Sequence, residues 1–130
     1  MSDTIAKIKQ VLTGHPDIRL AIVFGSVAAG KERYDSDLDL ALDIGSQMTV
    51  NKKMDLIDEL AVTTGRPVDL VDLQTAGEPL LGQILRHGKR ILGDDARYAA
   101  LITRHLFNQA DFVPYRNRIL DERRRAWLGK

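Results

Sequence analysis

An α/β (α+β) fold is expected for this chain: a small mixed β-sheet with flanking helices, followed by further helices at its C-terminal end. Three observations predict it. Residues 18–24 are a short, nearly continuous apolar run, the pattern of a strand buried on both faces. Residues 37–44 alternate between aspartate or alanine and leucine or isoleucine, the period of two that marks a strand with unlike faces. Around these runs lie stretches whose apolar residues recur every three or four positions, as on helices.

Taken in order, residues 2–13 form a helix. Ser2 or Asp3 caps it, and Ile5, Ile8, Val11 and Leu12 fall on one face. Gly14-His15-Pro16-Asp17 breaks it. The first strand, 18–24, ends at Gly25; the residues after it begin a brief helix that Gly30 terminates, and 31–36 form a polar loop. The second strand, 37–44, carries Asp37, Asp39, Ala41 and Asp43 on one side and Leu38, Leu40, Leu42 and Ile44 on the other. Leucines bury readily, whereas aspartates are costly to bury unless paired or bound to metal. Thr49 or Asn51 starts a helix with Met54, Ile57, Leu60 and Ala61 inward, stopping near Gly65. Residues 67–73 form a third strand, and the intervening helix is long enough for a parallel crossover. Leu80, Leu81, Ile84 and Leu85 mark another helix ending around Gly88, with 89–92 as a short edge strand. From Asp94 the pattern is helical through Leu101, Ile102, His105 and Leu106, then Ile119 and Leu120. Pro114, lacking an amide proton, kinks or divides that stretch.

Composition bounds the function. The chain has 130 residues, 44% hydrophobic and 28% charged, which reads as one soluble domain. A net charge of +1 does not single out nucleic acid as partner. Cysteine is absent, which excludes disulfides and thiolate metal sites. No signal-like stretch or membrane-length apolar run is present, so a cytoplasmic protein is expected.

One constellation carries chemistry. Gly25-Ser26 closes the first strand, ten residues intervene, and Asp37-Leu38-Asp39 opens the second; Asp69 follows on the third. Gly25 lets a phosphate approach the backbone, the amides after it lie at a helix start that favours anions, and Ser26 adds a hydroxyl donor. Asp37 and Asp39, two apart on a strand, point the same way and suit magnesium, a hard ion that prefers carboxylate and phosphate oxygens. Asp69 on a neighbouring strand completes a candidate site for two ions. Asp43 reads as a solvated strand end, Asp72 as a structural or surface residue, Arg66 as a capping or surface residue and His105 as packed. Arg97 and His105 are too far apart, without the expected tyrosine, for a ribonuclease motif of HEPN type.

Phe24-Gly25-Ser26-Val27-Ala28-Ala29-Gly30 followed by Ser36-Asp37-Leu38-Asp39-Leu40 resembles the signature of the DNA polymerase β-like nucleotidyltransferase superfamily. More narrowly, it resembles the minimal nucleotidyltransferases (MNT) that act as antitoxins beside HEPN-domain ribonuclease toxins. The resemblance covers roughly residues 18–92, leaving 94–130 as a C-terminal helical extension. It implies a polymerase β-like fold, ATP as nucleotide donor and two Mg2+ ions. Gly25 and Ser26 would hold the triphosphate. Asp37 and Asp39 would ligate both ions, and Asp69 one ion while helping to deprotonate the acceptor. It further implies transfer of AMP to a tyrosine hydroxyl of a cognate HEPN toxin. Val27 departs from the pattern, standing where many relatives have a polar residue, with Lys31 and Arg33 in the next loop as possible substitutes. Two other readings stay open: transfer to a small molecule or RNA end, and an antitoxin that works by binding alone.

Overall fold

The computed structural model describes residues 3–33 and 35–109. Its frame is a four-stranded sheet in the order β3-β2-β1-β4, built from β1 (Leu20–Phe24), β2 (Leu38–Asp43), β3 (Val68–Asp72) and β4 (Lys89–Leu92). β1 runs antiparallel to both neighbours, β2 and β4, while β2 and β3 are parallel. The parallel pair is joined by the crossover helix α3 (Val50–Thr64), as parallel strands require. The remaining helices are α1 (Asp3–Thr13), the single-turn α2 (Gly25–Ala28), α4 (Leu80–His87) and a final helix, α5, over 95–109.

The sheet separates two cores. On one side Ala21, Val23, Leu38, Leu40, Leu42 and Leu70 meet the inward faces of α1 and α3, including Ile5, Ile8, Leu12, Leu56 and Leu60. On the other, Leu20, Ile22, Ala41 and Leu73 meet Leu81 and Ile84 of α4 and Leu101 of α5. This explains the unlike sequence patterns. β1 is central and covered on both faces, so it is apolar throughout; β2 sends its leucines to the larger core and its aspartates and Ala41 to the other side.

β1, β2 and β3 are shorter than their sequence patterns, whereas β4 spans the expected 89–92. β1 starts at Leu20 rather than residue 18, although the Arg19 amide still donates to the Asp43 carbonyl at 2.7 Å. β2 starts at Leu38, so Asp37 precedes the strand instead of opening it. The phase of α3 also differs from expectation. Thr49 caps it through its side-chain oxygen, which accepts from the Lys52 amide. Leu56 and Leu60 are its buried residues, Ile57 is half-buried and Met54 is exposed. Burial follows the stripe that meets α1 and β3, and one stripe cannot hold both Met54 and Leu56. Asp94 caps α5, its carboxylate accepting from the Arg97 amide at 2.8 Å. Tyr34, Phe112, Pro114, Ile119, Leu120, Trp127 and the arginines at 123–125 lie outside the described residues.

Candidate active site

The strand register decides which side chains meet. Phe24 at the end of β1 pairs with Asp39 of β2, and Asp39 pairs with Asp69 of β3. Directly opposed residues on paired strands share a face. Asp39 has the parity of Ala41 and Asp69 that of Val71, both on the α4 side of the sheet. The two carboxylates therefore sit side by side where that face reaches solvent, Asp39 half-buried and Asp69 exposed. Asp37, exposed just ahead of β2, is the third member.

Gly25 closes the site from the β1 end. Its φ is +73°, which lets the chain turn from β1 into α2. A Cβ at this position would lie 2.1 Å from Oδ2 of Asp39. Only a glycine allows this backbone and that carboxylate to occupy adjoining space. Ser26 is half-buried in the first turn of α2. Val27 and Ala28 turn into the larger core, so position 27 is a packing position in this chain. Lys31 and Arg33 are exposed in the following loop.

The electrostatics are those of clustered like charges. Burial pushes the Asp39 carboxyl above its usual range, and the charges of Asp69 and Asp37 push it further. Like charges placed together without a cation are otherwise unfavourable, and hard carboxylate oxygens are the donors that magnesium selects. The residues present therefore fit such an ion. Among the described residues, however, no three acidic or histidine side chains already close into a metal cage. The aspartates are near enough to perturb one another and remain open.

The other acidic residues on these strands have different work. Asp43 is not merely a solvated strand end: its Oδ1 accepts from the Gly45 amide at 2.7 Å and from Gln74 Nε2 at 2.8 Å, bracing the turn after β2. Asp72 accepts from the amides of Met48 and Gln74, both at 2.9 Å. Arg66 donates to carbonyls of the loop before Asp37. His105 joins Glu78 at 2.8 Å, holding α5 to the segment before α4.

The chain as a whole is similar to known proteins. A profile of the family "Polymerase beta, Nucleotidyltransferase" matches residues 6–97, most of the chain. The chain belongs to the polymerase β nucleotidyltransferase family. Protein adenylyltransferase MntA of Shewanella oneidensis is 32% identical to this nucleotidyltransferase over 95 residues, which are 71% of this chain and 68% of that protein. A chain of a toxin–antitoxin complex crystallised with AMP-PNP superposes with a TM-score of 0.78 at 26% identity, covering 91% of this chain and 96% of that one. A chain from the complex of tri-AMPylated Shewanella oneidensis HEPN toxin with MNT antitoxin gives 0.73, covering 92% and 94%; at 24% identity that likeness is one of fold.

Two features of the candidate site escape sequence reasoning. The contact between Gly25 and Asp39 joins residues fourteen apart through strand pairing, and only the Gly-Ser turn hinted at it. The contact of Arg66 with the loop before Asp37 carries no sequence signal, since an arginine ahead of a strand is ordinarily solvent-facing.

Proposed function

We propose that the protein is a metal-dependent nucleotidyltransferase and a cytoplasmic antitoxin, transferring AMP from ATP to a tyrosine hydroxyl of a cognate HEPN ribonuclease toxin and thereby neutralising it. The carrying observation is the register that sets Phe24, Asp39 and Asp69 side by side, with Gly25 pressed against Asp39. Family membership, the likeness to the adenylyltransferase MntA and the likeness to a toxin–antitoxin complex holding an ATP analogue support it. Among the described residues no helix is long and apolar enough to cross a membrane.

In this reading Gly25, the amides that follow it and the Ser26 hydroxyl receive the triphosphate. Asp37, Asp39 and Asp69 hold two magnesium ions. Bound there, magnesium supplies positive charge that favours the attacking oxygen and the departing pyrophosphate. Asp69, exposed on the sheet's edge strand, takes the acceptor's proton. The tyrosine oxygen forms a bond to the α-phosphorus, the bond to the bridging α–β oxygen breaks, and pyrophosphate leaves in line. The chain's own contribution is positioning, which accounts for a large share of such a barrier.

The test is to incubate the protein with its HEPN partner, ATP and magnesium, then measure the partner's mass. Addition of nucleoside monophosphate is expected, and its persistence with Asp37→Asn/Asp39→Asn would overturn the site. One observation favours a second reading, neutralisation by binding alone. α5 exposes Ile102, Leu106 and Phe107, the last two at 60% and 64%, a surface suited to an apolar partner. If the double variant still protects cells from the toxin, binding suffices.

A further inference from the structure

Arg66 lies outside the residues assigned to triphosphate and metal, yet it grips the segment that carries one of them. Its Nη1 donates to two backbone carbonyls of the loop before β2, those of Arg33 and Ser36, the second at 3.0 Å. The Arg33 amide also donates to Ser36 Oγ at 2.7 Å, and the Ser36 amide donates to the Arg33 carbonyl at 3.1 Å. The neighbour of Arg66, Pro67, accepts from the Leu38 amide at 2.8 Å. Asp37 stands between these anchors. The carbonyl before it is held by Arg66 and the amide after it by Pro67.

Asp37 needs such a hold more than its partners do. Asp39 and Asp69 belong to β2 and β3, where ladder hydrogen bonds and direct pairing fix their backbones. Asp37 precedes the strand and is exposed. Three carboxylates gathered at one sheet end repel one another, and the one on a loop is the one free to swing away. A guanidinium at the head of β3, three residues before Asp69, ties the loop carrying Asp37 to the strand carrying Asp69.

We infer that Arg66 is a positioning residue, holding Asp37 where its carboxylate joins those of Asp39 and Asp69 around a divalent cation. The inference rests on the nucleotidyltransferase reading for the purpose of that cation. Its role differs from a phosphate contact: Arg66 acts through the backbone carbonyls of Arg33 and Ser36. Residues that orient metal ligands without touching the ion typically contribute about 10- to 100-fold in metal affinity or activity.

The test uses the full chain, Mn2+ as the probe, and the variants Arg66→Ala and Arg66→Lys. Mn2+ binding in the presence of ATP is followed by electron paramagnetic resonance, and amide exchange is followed at Leu38. Arg66→Ala should weaken Mn2+ binding by about 10-fold or more and speed exchange at Leu38. Arg66→Lys, which keeps the charge on a shorter reach, should recover part of both. In the transfer assay the magnesium concentration giving half-maximal rate should rise by a similar factor, while the rate at saturating magnesium recovers most of its value. A merely structural staple would lower the rate at every magnesium concentration alike, and that result overturns the inference. So does wild-type Mn2+ affinity in Arg66→Ala. If the unsubstituted chain itself binds no Mn2+, the nucleotidyltransferase reading falls and the exchange data still decide whether Arg66 holds Asp37. Unchanged exchange then overturns the hold. Should Arg66→Ala not fold, Arg66→Lys carries both measurements.

Discussion

Replacing Gly25 by alanine isolates the closest contact in the site. The new Cβ would stand 2.1 Å from Asp39 Oδ2, 3.0 Å from its Cγ and 3.3 Å from its Cβ. Relief requires the carboxylate oxygen to retreat by about 1 Å, a displacement that costs on the order of 100-fold when it moves a catalytic group. Two conformational costs accompany it. A residue with a side chain at φ +73° incurs about 1–2 kcal/mol. Forcing Asp39 off its rotamer adds about 0.5–1.5 kcal/mol. The smaller entropy of the unfolded alanine chain offsets about 0.4–1 kcal/mol, leaving a net loss of about 1–3 kcal/mol. Gly30→Ala is the control, because Gly30 has φ +70° but nothing within 4 Å of its would-be Cβ. Both variants should lose stability in urea titration, while Gly25→Ala alone should lose about 100-fold in the rate of AMP transfer from labelled ATP. A Gly25→Ala rate within about threefold of the unsubstituted chain would refute the argument, since it would mean that Asp39 can retreat by this distance without consequence.

Three further outcomes are expected. Leu56→Ala should cost about 2–5 kcal/mol by chemical denaturation, whereas Met54→Ala should stay within about 0.5 kcal/mol, because Leu56 is fully buried and Met54 is not. Asp39→Asn should raise the melting temperature of the metal-free protein at neutral pH. Burial, then Asp69 and Asp37, lift the folded Asp39 carboxyl above its ordinary 3.8, so the folded chain binds that proton more tightly than the unfolded one. Stability is therefore lost as pH rises from 3.8 through the lifted value, and the advantage of asparagine should disappear at lower pH. Glu78→Gln should speed amide exchange across 95–109. Burial raises the Glu78 carboxyl, but hydrogen bonds from His105, Asn108 and the Gly82 amide outweigh it and hold it below 4.5. The stability it contributes is present above 4.5 and fades as pH falls through the lowered value, so the variant and the unsubstituted chain should converge in acid.

Much of the fold is legible along the chain. β1 and β2 announce themselves because one is buried on both faces and the other has two unlike faces, and each pattern has a distinct period. The cap at Thr49 and the edge position of β4 follow from local chemistry in the same way. The phase of α3 does not. Met54, Leu56, Ile57 and Leu60 are all apolar, and which of them face inward depends on where α1 lies rather than on their spacing. Asp43 and Asp72 show the same limit among polar residues. Asp43 keeps the parity of Asp39 and Asp72 takes the parity opposite to Asp69, yet one braces the turn after β2 and the other binds amides from two different segments.

The candidate site divides along the same line. Sequence alone determined the chemistry on offer: a glycine and a hydroxyl at a strand end, and two aspartates two residues apart at the entry to the next strand. Those facts are local, set by residue type and by the period of a strand. Only the tertiary structure decided that Asp69 stands beside Asp39, that Gly25 lies against that carboxylate, and that Arg66 reaches the loop behind Asp37. Each of these depends on which strands pair and in what register. Register is a collective outcome of burying two cores at once, because a slip of one residue would send the leucines of β2 to the aspartates' side.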